Sequence, residues 1–301
     1  MWIAIDETLR HARDATRDSM VAMRLVYAAD NSILDSIGVR DSSDVGAMLE
    51  RAYPWPDRPS WVRANMVVTV DGRAQAGDGL TEAISSAADK RVFGYLRANC
   101  DVILVGAGTV RSEVYHAVRP KSEWQARREA EGRRPAPVLA IVSASLDLDP
   151  SSEPFTAPGA HDGVQRPVIL TTADADPSRA RVLSSVADVV ICGEETVDPA
   201  RAIEALIDRD LPRILCEGGP RLLGDLLCAD LIDELDLTIS PLLLMQQTGN
   251  LVTIEGVQEL PRHLVLAHVV EAESTLMLRY LLPRSGIPSS VSTPHPEADI
   301  S

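Results

Sequence analysis

Short apolar runs rich in β-branched residues alternate with amphipathic segments from Trp61 onward. Runs of this length predict buried strands, and apolar residues at helical spacing predict helices between them. The predicted strands are Val62–Val70, Val102–Val105, Val138–Val142, Val168–Thr172, Val189–Cys192, Arg213–Cys216, Leu235–Ser240, Leu264–Val270 and Leu276–Leu282. The alternation predicts an α/β fold, a mixed sheet with helices on both faces. Because no helix-length segment separates the last three strands, we expect that end of the sheet to be antiparallel.

Helix starts are marked by residues that cap free backbone N–H groups. Ser86, followed three residues later by Asp89, resembles a capping box. Asp176 and Asp198 each precede a proline, which is favoured at the first position of a helix. These signals predict helices that begin just after residues 86, 176 and 198.

The two ends of the chain differ in composition from this core. Residues 1–58 are polar and end in a proline-rich stretch, so we expect an N-terminal appendage before a main domain of residues 59–283. Residues 284–301 hold several prolines and serines and few core-forming side chains, which predicts a disordered tail. Residues 149–165 are predicted to form a long surface loop.

Composition narrows the class of protein. A chain of 301 residues with 45% hydrophobic residues can bury a substantial core. The net charge of -15 would repel a phosphate backbone, so we expect no nucleic-acid partner. No apolar run approaches the roughly 20 residues that span a bilayer, and the N-terminus is charged, so we expect no membrane partner and a cytoplasmic protein. Four cysteines, Cys100, Cys192, Cys216 and Cys228, lie far apart, which favours buried free thiols over a disulfide or metal set.

A first glycine-bearing turn directly follows the strand that ends at Val105. It contains Gly106, Gly108, Thr109 and Arg111. Glycine allows a backbone to pass close to a phosphate, and free N–H groups at a helix start attract an anion. The turn is not the dinucleotide fingerprint, because Arg111 stands at the third glycine position. A tight turn without a ligand is the alternative interpretation.

A second glycine-bearing turn, Glu217 to Pro220, follows the strand that ends at Cys216. Gly218 and Gly219 precede Pro220, which is suited to start a helix, so the turn predicts a second phosphate-sized cradle. Glu217 stands at the carboxyl end of its strand, where open α/β sheets bind ligands. An exposed turn with a solvated carboxylate is the alternative here. Similarly, the Asp-Gly step at residue 71 is as consistent with a simple β-turn as with a site.

Five segments in order resemble the riboflavin-biosynthesis reductase family, which shares its fold with dihydrofolate reductase. The segments are V-R-A-N-M-V-V-T-V-D-G-R, I-S-S-A-A-D-K-R-V-F-G-Y-L-R-A, D-V-I-L-V-G-A-G-T-V-R, C-E-G-G-P-R-L-L-G-D-L-L and L-I-D-E-L-D-L-T-I-S-P-L-L. The resemblance covers about Trp61 to Leu282. It implies a three-layer dihydrofolate-reductase-like fold, NADPH as cofactor, a small-molecule substrate and a homodimer. The implied reaction is reduction of a ribosylamino-pyrimidine 5′-phosphate in riboflavin biosynthesis.

The resemblance also implies a role for each matching residue. Asn65, Arg97 and Glu217 are expected to bind substrate, and Glu217 is the candidate catalytic residue. Arg111 and Ser143 are expected at the 2′-phosphate of the cofactor; no acidic residue ends the strand before Ser143, which favours NADP over NAD. The residues expected around the cofactor are Val67, Thr69, Asp71, Gly106, Gly108, Thr109, Arg111, Glu113, Ser143, Gly218, Gly219, Pro220, Arg221 and Leu222.

The chain departs from the family pattern on the substrate side. Typical members carry Lys at the position of Asn65, Trp at that of Ala83, and Asp-Asp-Pro at residues 113–115. Two alternatives therefore stay open: reduction of a pterin such as dihydrofolate, and a catalytically silent NADPH-binding protein. Many relatives carry a fused zinc deaminase with H-x-E and P-C-x-x-C motifs. Only His295-Pro296-Glu297 fits the first motif and no cysteine follows a proline, so we predict neither a deaminase nor a metal site.

Overall fold

The computed structural model describes residues 23–29, 45–76, 80–113, 115–158, 161, 163–245, 249–254 and 262–283. The strands are β1 (Arg24–Ala28), β2 (Trp61–Thr69), β3 (Val102–Gly106), β4 (Val138–Val142), β5 (Val168–Thr171), β6 (Asp188–Ile191), β7 (Arg213–Cys216), β8 (Glu234–Ser240), β9 (Val265–Ala272) and β10 (Thr275–Leu281). The helices are α1 (Val45–Ala52), α2 (Ala87–Asn99), α3 (Ala107–Ser112), α4 (Ser122–Ala130), α5 (Glu153–Thr156), α6 (Pro177–Ser184), α7 (Pro199–Ile207) and α8 (Pro220–Cys228). The predicted tail, residues 284–301, lies outside the described residues.

The strands of the described residues form one sheet in the order β1-β9-β10-β8-β2-β7-β3-β4-β5-β6. From β8 to β6 in this order, each strand is parallel to its neighbour. β10 runs antiparallel to both β8 and β9, and β1 runs antiparallel to β9. The predicted mixed sheet with an antiparallel C-terminal end is therefore confirmed.

Successive residues of the central strands face opposite sides of the sheet, and helices cover both sides. In β3, Ile103 and Val105 belong to a core that includes side chains of α1, α2 and α3. Val102 and Leu104 belong to a second core, closed by α7 and α8. The period of two along a strand explains this division. The architecture is three-layered, as predicted, and no helix of the described part is both long and apolar enough to cross a bilayer.

The predicted helix starts are confirmed. The Asp176 and Asp198 carboxylates each accept a hydrogen bond from the backbone N–H two residues on, at 2.7 and 2.8 Å. Ser86 Oγ accepts one from the Asp89 backbone N–H at 3.1 Å. The capping box is incomplete, because the Asp89 carboxylate accepts a hydrogen bond from Ser85 Oγ at 2.5 Å.

The predicted boundary at residue 59 does not coincide with a break in the structure. β1 adds an edge strand to the sheet, and α1 buries Met48 and Leu49 in the first core. The pairing of β1 with β9 shifts register between Leu25 and Tyr27. A register shift interrupts the alternation of buried and exposed side chains, so the period-two pattern did not reveal this strand.

Two local predictions were wrong. The loop predicted at residues 149–165 contains the short helix α5, which buries Phe155. A four-residue helix is too short to show a helical period in the sequence. Cys228, at the end of α8, is exposed, whereas the other three cysteines are buried free thiols as expected.

Four ionisable side chains, Arg63, Glu234, Asp236 and Arg279, lie buried together on β2, β8 and β10. Arg63 Nε lies 2.7 Å from Glu234 Oε1, and Arg279 donates to both oxygens of the same carboxylate at 2.7 and 3.0 Å. Burial by itself would raise the pKa of Glu234, but the two guanidinium groups hold this pKa at about 2. Burial and the adjacent Glu234 charge raise the pKa of Asp236, the fourth member. Glu234 therefore carries the negative charge of the cluster.

The same cluster fixes the chain segment that precedes β2. Arg63 Nη2 donates to the Pro54 carbonyl at 2.9 Å, and its guanidinium carbon lies 4.3 Å from the centre of the Trp55 ring. Arg279 Nη1 donates to the Ala52 carbonyl at the end of α1. Buried arginines thus bind residues 52–55 to the sheet.

We expect Glu234→Gln to lower the free energy of unfolding by about 3–5 kcal/mol, because two buried guanidinium groups lose their carboxylate. Urea unfolding checks this, with Glu129→Gln on the exposed face of α4 as control. The difference in free energy of unfolding between the wild type and Glu234→Gln should be complete above the ordinary glutamate pKa of 4.5. It should disappear as the pH falls through about 2. If Glu234→Gln and Glu129→Gln were equally stable at neutral pH, this account of the cluster would be contradicted.

Candidate functional site

The two glycine turns predicted separately lie side by side. β3 and β7 are parallel neighbours, so their carboxyl ends meet at the same edge of the sheet. Gly106 N donates to Gly218 O at 2.8 Å, and a Cβ on Gly106 would lie 3.6 Å from Gly219 N. The two turns therefore form one continuous backbone surface.

Glycine is required at two positions of this surface. Gly218 has a φ of +85°, which side chains other than glycine rarely adopt. A Cβ on Gly219 would lie 2.8 Å from Thr109 Oγ1, closer than such atoms pack. By contrast, a Cβ on Gly108 would meet no atom within 4 Å, so this residue borders open space.

A cavity of about 350 Å³ opens beside the two turns. It brings together the three predicted substrate residues, Asn65, Arg97 and Glu217. The predicted cofactor residues on its wall are Val67, Thr109, Glu113, Gly219 and Pro220. Glu113 accepts hydrogen bonds from both the backbone N–H and the hydroxyl of Thr81, which ties the end of α3 to the cavity wall.

Thr69 is the last residue of β2 and Asp71 lies in the turn after it; neither residue lines the cavity. Thr69 Oγ1 donates to Asp71, and the Asp71 carboxylate accepts from the backbone N–H groups of Leu244 and Met245 at 3.3 and 2.8 Å. These hydrogen bonds lower the pKa of Asp71. Asp71 thus holds the segment after β8 in place.

Arg111 contacts the loop that follows β4, and Ser143 is the first residue after β4. The two residues do not contact each other. Arg111 Nη1 donates to the Asp147 carbonyl at 2.8 Å, and Arg179 Nη1 donates to the Ser145 carbonyl at 3.1 Å. Ser143 is buried at the end of β4, and its Oγ has no hydrogen-bond partner among the described residues. The role of both residues at a 2′-phosphate therefore stays a prediction.

The remaining predicted residues, Arg221 and Leu222, lie in the first turn of α8. Arg221 is exposed, and Leu222 packs against the second core. Pro220 is the first residue of that helix and fixes where it begins, and therefore where Arg221 and Leu222 lie. The Pro220 carbonyl also accepts a hydrogen bond from Thr253 N at 3.0 Å.

Arg97 and Glu217 form an ion pair with each other at one end of the cavity. Arg97 donates from Nε and Nη2 to the two Glu217 oxygens at 2.7 and 2.6 Å, a bidentate arrangement. Tyr115 also donates to Glu217, and Arg97 Nη2 lies 2.6 Å from the Tyr115 hydroxyl. The Arg97 guanidinium stacks over Phe93 at 4.3 Å. Both oxygens of the predicted catalytic carboxylate are therefore already occupied.

The electrostatics of this cluster follow from its burial. Burial would lower the pKa of Arg97, but the Glu217 charge more than offsets it and raises that pKa above its usual range. Burial raises the pKa of Tyr115 well above its usual value, and the Glu217 charge adds to the effect. Arg97 and Tyr115 thus stay protonated donors toward Glu217.

Tyr115 and Asp89 are among the cavity residues that sequence reasoning missed. Tyr115 was noted only as a departure from the family pattern, because no local period marks a loop tyrosine as a partner of a residue far along the chain. Asp89 was read only as part of a helix cap, yet it also lines the cavity. Its position two helical turns before Arg97, on the same face of α2, was a usable signal.

Comparison with known proteins identifies the family. The model of the RibD C-terminal domain matches residues 60–278. The chain belongs to the RibD C-terminal domain family. The matched residues include β2, both glycine turns and most of β10.

Relatives of the RibD C-terminal domain family share sequence and fold with this chain. A 2,5-diamino-6-ribosylamino-4(3H)-pyrimidinone 5′-phosphate reductase of Archaeoglobus fulgidus is 28% identical over 182 residues, which cover 60% of this chain and 80% of that protein. An enzyme of the same name from Methanothermobacter thermautotrophicus is 28% identical over 202 residues, covering 66% and 87%. A crystal structure described as a pyrimidine reductase-like protein of Corynebacterium diphtheriae superposes with a TM-score of 0.71 at 27% identity, covering 78% and 98%.

A double-mutant cycle measures the Arg97–Glu217 pair. We expect Arg97→Met and Glu217→Gln each to lower the free energy of unfolding by roughly 1.5–3 kcal/mol, since each leaves a largely buried partner without its counter-charge. The double variant should cost less than the sum, with a coupling of about 1 kcal/mol or more in urea unfolding. The exposed Arg166–Asp188 pair is the matched control, and we expect a coupling near zero there. Additive effects at Arg97 and Glu217 would contradict the pairing.

Proposed function

We propose that this protein is an NADPH-dependent reductase of a ribosylamino-pyrimidine 5′-phosphate. One observation carries the proposal: the turns after β3 and β7 join into a single glycine-lined surface beside a cavity that holds the Arg97–Glu217 pair. The two archaeal relatives named as pyrimidinone 5′-phosphate reductases support the same activity.

The backbone around the two turns fits a dinucleotide. Gly108 borders open space next to Thr109, and the lack of a side chain at Gly219 lets Thr109 lie against the second turn. We assign the cofactor to this surface, with Gly106, Gly108 and Thr109 on one side and Gly218 to Leu222 on the other. Val67, on the cavity wall, would face the nicotinamide end. NADPH would supply a hydride, and the chain would supply orientation and electrostatics.

The substrate side of the cavity is set by the Arg97 cluster. Glu217 and Tyr115 hold the Arg97 guanidinium through Nε and Nη2. Among the residues that the structure describes, its Nη1 group has no hydrogen-bond partner, so Nη1 would bind the phosphate or ribose of the substrate. In this arrangement Glu217 acts as a positioning residue, because its oxygens are engaged. Asn65, an amide where typical family members carry a lysine, would contact the polar substrate without adding charge.

The activity is tested by following the loss of nicotinamide absorbance with purified protein. We expect NADPH oxidation with 2,5-diamino-6-ribosylamino-4(3H)-pyrimidinone 5′-phosphate or with its uracil counterpart, and none with dihydrofolate. Product identity is checked by mass spectrometry, which should show a gain of two hydrogens. Turnover of dihydrofolate alone would establish the pterin alternative, and cofactor binding without any turnover would establish a silent binding protein.

Cofactor choice tests the assignment of Arg111. We expect NADPH to bind more tightly than NADH, and Arg111→Ala to weaken NADPH binding about tenfold while leaving NADH binding nearly unchanged. We expect the loss of NADPH affinity to be no more than about tenfold, because Arg111 is half exposed and also contacts Asp147. Fluorescence titration measures both affinities, with Arg181→Ala on exposed α6 as control. Equal affinities for the two cofactors in the wild type would exclude a 2′-phosphate site.

A further inference from the structure

The inner face of α2 carries a second polar group into the cavity. Asp89, Phe93 and Arg97 are spaced four residues apart, so they lie on one face of the helix, and all three line the cavity. About 12 Å of helix separates Asp89 from Arg97. Asp89 is therefore well removed from the Arg97–Glu217 pair, at another part of the same wall.

Asp89 differs from the other carboxyls of the described cavity wall. Both Glu217 oxygens are engaged by Arg97, and both Glu113 oxygens are engaged by Thr81. Glu82 is exposed and pairs with Lys90. Asp89 is 5% exposed, and its Oδ1 accepts no hydrogen bond of ordinary geometry from the described residues, although the Thr238 hydroxyl lies close enough to lower the pKa of the carboxyl group. A buried carboxyl oxygen without a partner is costly to the fold, so it calls for an explanation.

The surroundings of Asp89 favour its neutral form. Burial raises its pKa, and the hydroxyls of Ser85 and Thr238 together with the Lys90 charge offset this only in part. Ser85 Oγ holds Oδ2 at 2.5 Å, which fixes the orientation of the carboxyl group. A neutral carboxyl in this position is able to donate a hydrogen bond or a proton from one oxygen while Ser85 holds the other.

We propose that Asp89 is the proton donor of the reduction, delivering its proton from Oδ1 to the nitrogen of the open-chain ribosylamino substrate. The proposal rests on the proposed function. Reduction of an imine needs both a hydride and a proton, and Glu217 is poorly suited to the second role, because it already accepts hydrogen bonds from Arg97 and Tyr115. Asp89 supplies the missing acid on the same cavity wall.

The step balances as follows. The imine carbon takes a hydride from the reduced nicotinamide and forms a C–H bond. The π pair of the C=N bond moves to the nitrogen, which forms an N–H bond with the Asp89 proton. The products are the ribitylamino compound, the oxidised cofactor and the Asp89 carboxylate, which regains its proton from water.

The first test is Asp89→Asn, which keeps the size of the side chain and a hydrogen-bond partner for Ser85. We expect kcat to fall at least about a hundredfold, the usual contribution of a general acid, with NADPH affinity unchanged. Asp208→Asn makes the same chemical change at an exposed carboxyl outside the cavity and should leave kcat unchanged. A rise in KM with kcat kept would overturn the proposal, since it would make Asp89 a binding group only.

A second variant keeps the proposal testable if Asp89→Asn folds poorly. The Ser85 hydroxyl lowers the pKa of Asp89, so Ser85→Ala should raise it. The activity that depends on protonated Asp89 should therefore persist to higher pH in Ser85→Ala than in the wild type. An unmoved pH profile would contradict the role of Asp89.

A third measurement does not depend on turnover. Aspartate carboxyl groups labelled with ¹³C are titrated by NMR, and the Asp89 resonance is assigned by its loss in Asp89→Asn. We expect it to titrate above the ordinary aspartate range, because burial raises the pKa of Asp89; an ordinary aspartate pKa would overturn the proposal. A wild type that reduces neither ribosylamino-pyrimidine would instead contradict the proposed function, and the inference with it. An active wild type with an equally active Asp89→Asn would contradict the inference alone.

Discussion

The hydrogen bond from Gly106 N to Gly218 O joins two turns that are far apart in the chain. It forms because β3 and β7 are parallel neighbours, and parallel neighbours end at the same edge of a sheet. Beside this bond, a Cβ on Gly219 would lie 2.8 Å from Thr109 Oγ1, so the two turns approach this closely because residue 219 has no side chain. The cavity, the assigned cofactor surface and the position of Glu217 all follow from this one contact, since Glu217 is the residue between β7 and the second turn.

The protein holds its buried charges in two different ways. Around Glu234, two guanidinium groups surround one carboxylate in a site closed to solvent, so the charge is satisfied by side chains of the sheet itself. Around Glu217, one guanidinium and one phenol satisfy the carboxylate, and Arg97 keeps 28% of its side-chain surface exposed. Removing two charges from water is costly unless their hydrogen bonds are complete, so the open cluster is the one suited to a polar ligand.

Local pattern was enough to predict the nine strands from β2 to β10, the caps at Ser86, Asp176 and Asp198, and both glycine turns. These features depend on periodicity and turn chemistry within a few residues. The pattern did not reveal β1, whose register shift breaks the alternation, or α5, which is a single turn. Nor did it show that Arg97 and Glu217 pair with each other, because they are 120 residues apart and only the order of strands brings them together. Asp89 was predicted only as part of a helix cap. That role already explained an acidic residue at this position, so its second place on the cavity wall was not predicted.

The buried arginines of β2 and β10 also determine where the folded unit begins. Arg63 binds the Pro54 carbonyl and stacks on Trp55, and Arg279 binds the Ala52 carbonyl, all before residue 59. A chain started at residue 59 would therefore keep every strand from β2 onward but leave both guanidinium groups short of acceptors in a dry interior. The carbonyl groups of residues 52 and 54 thus complete the hydrogen bonds of two arginines buried in the sheet, so a chain cut here would lose stability in its interior and not only at its surface.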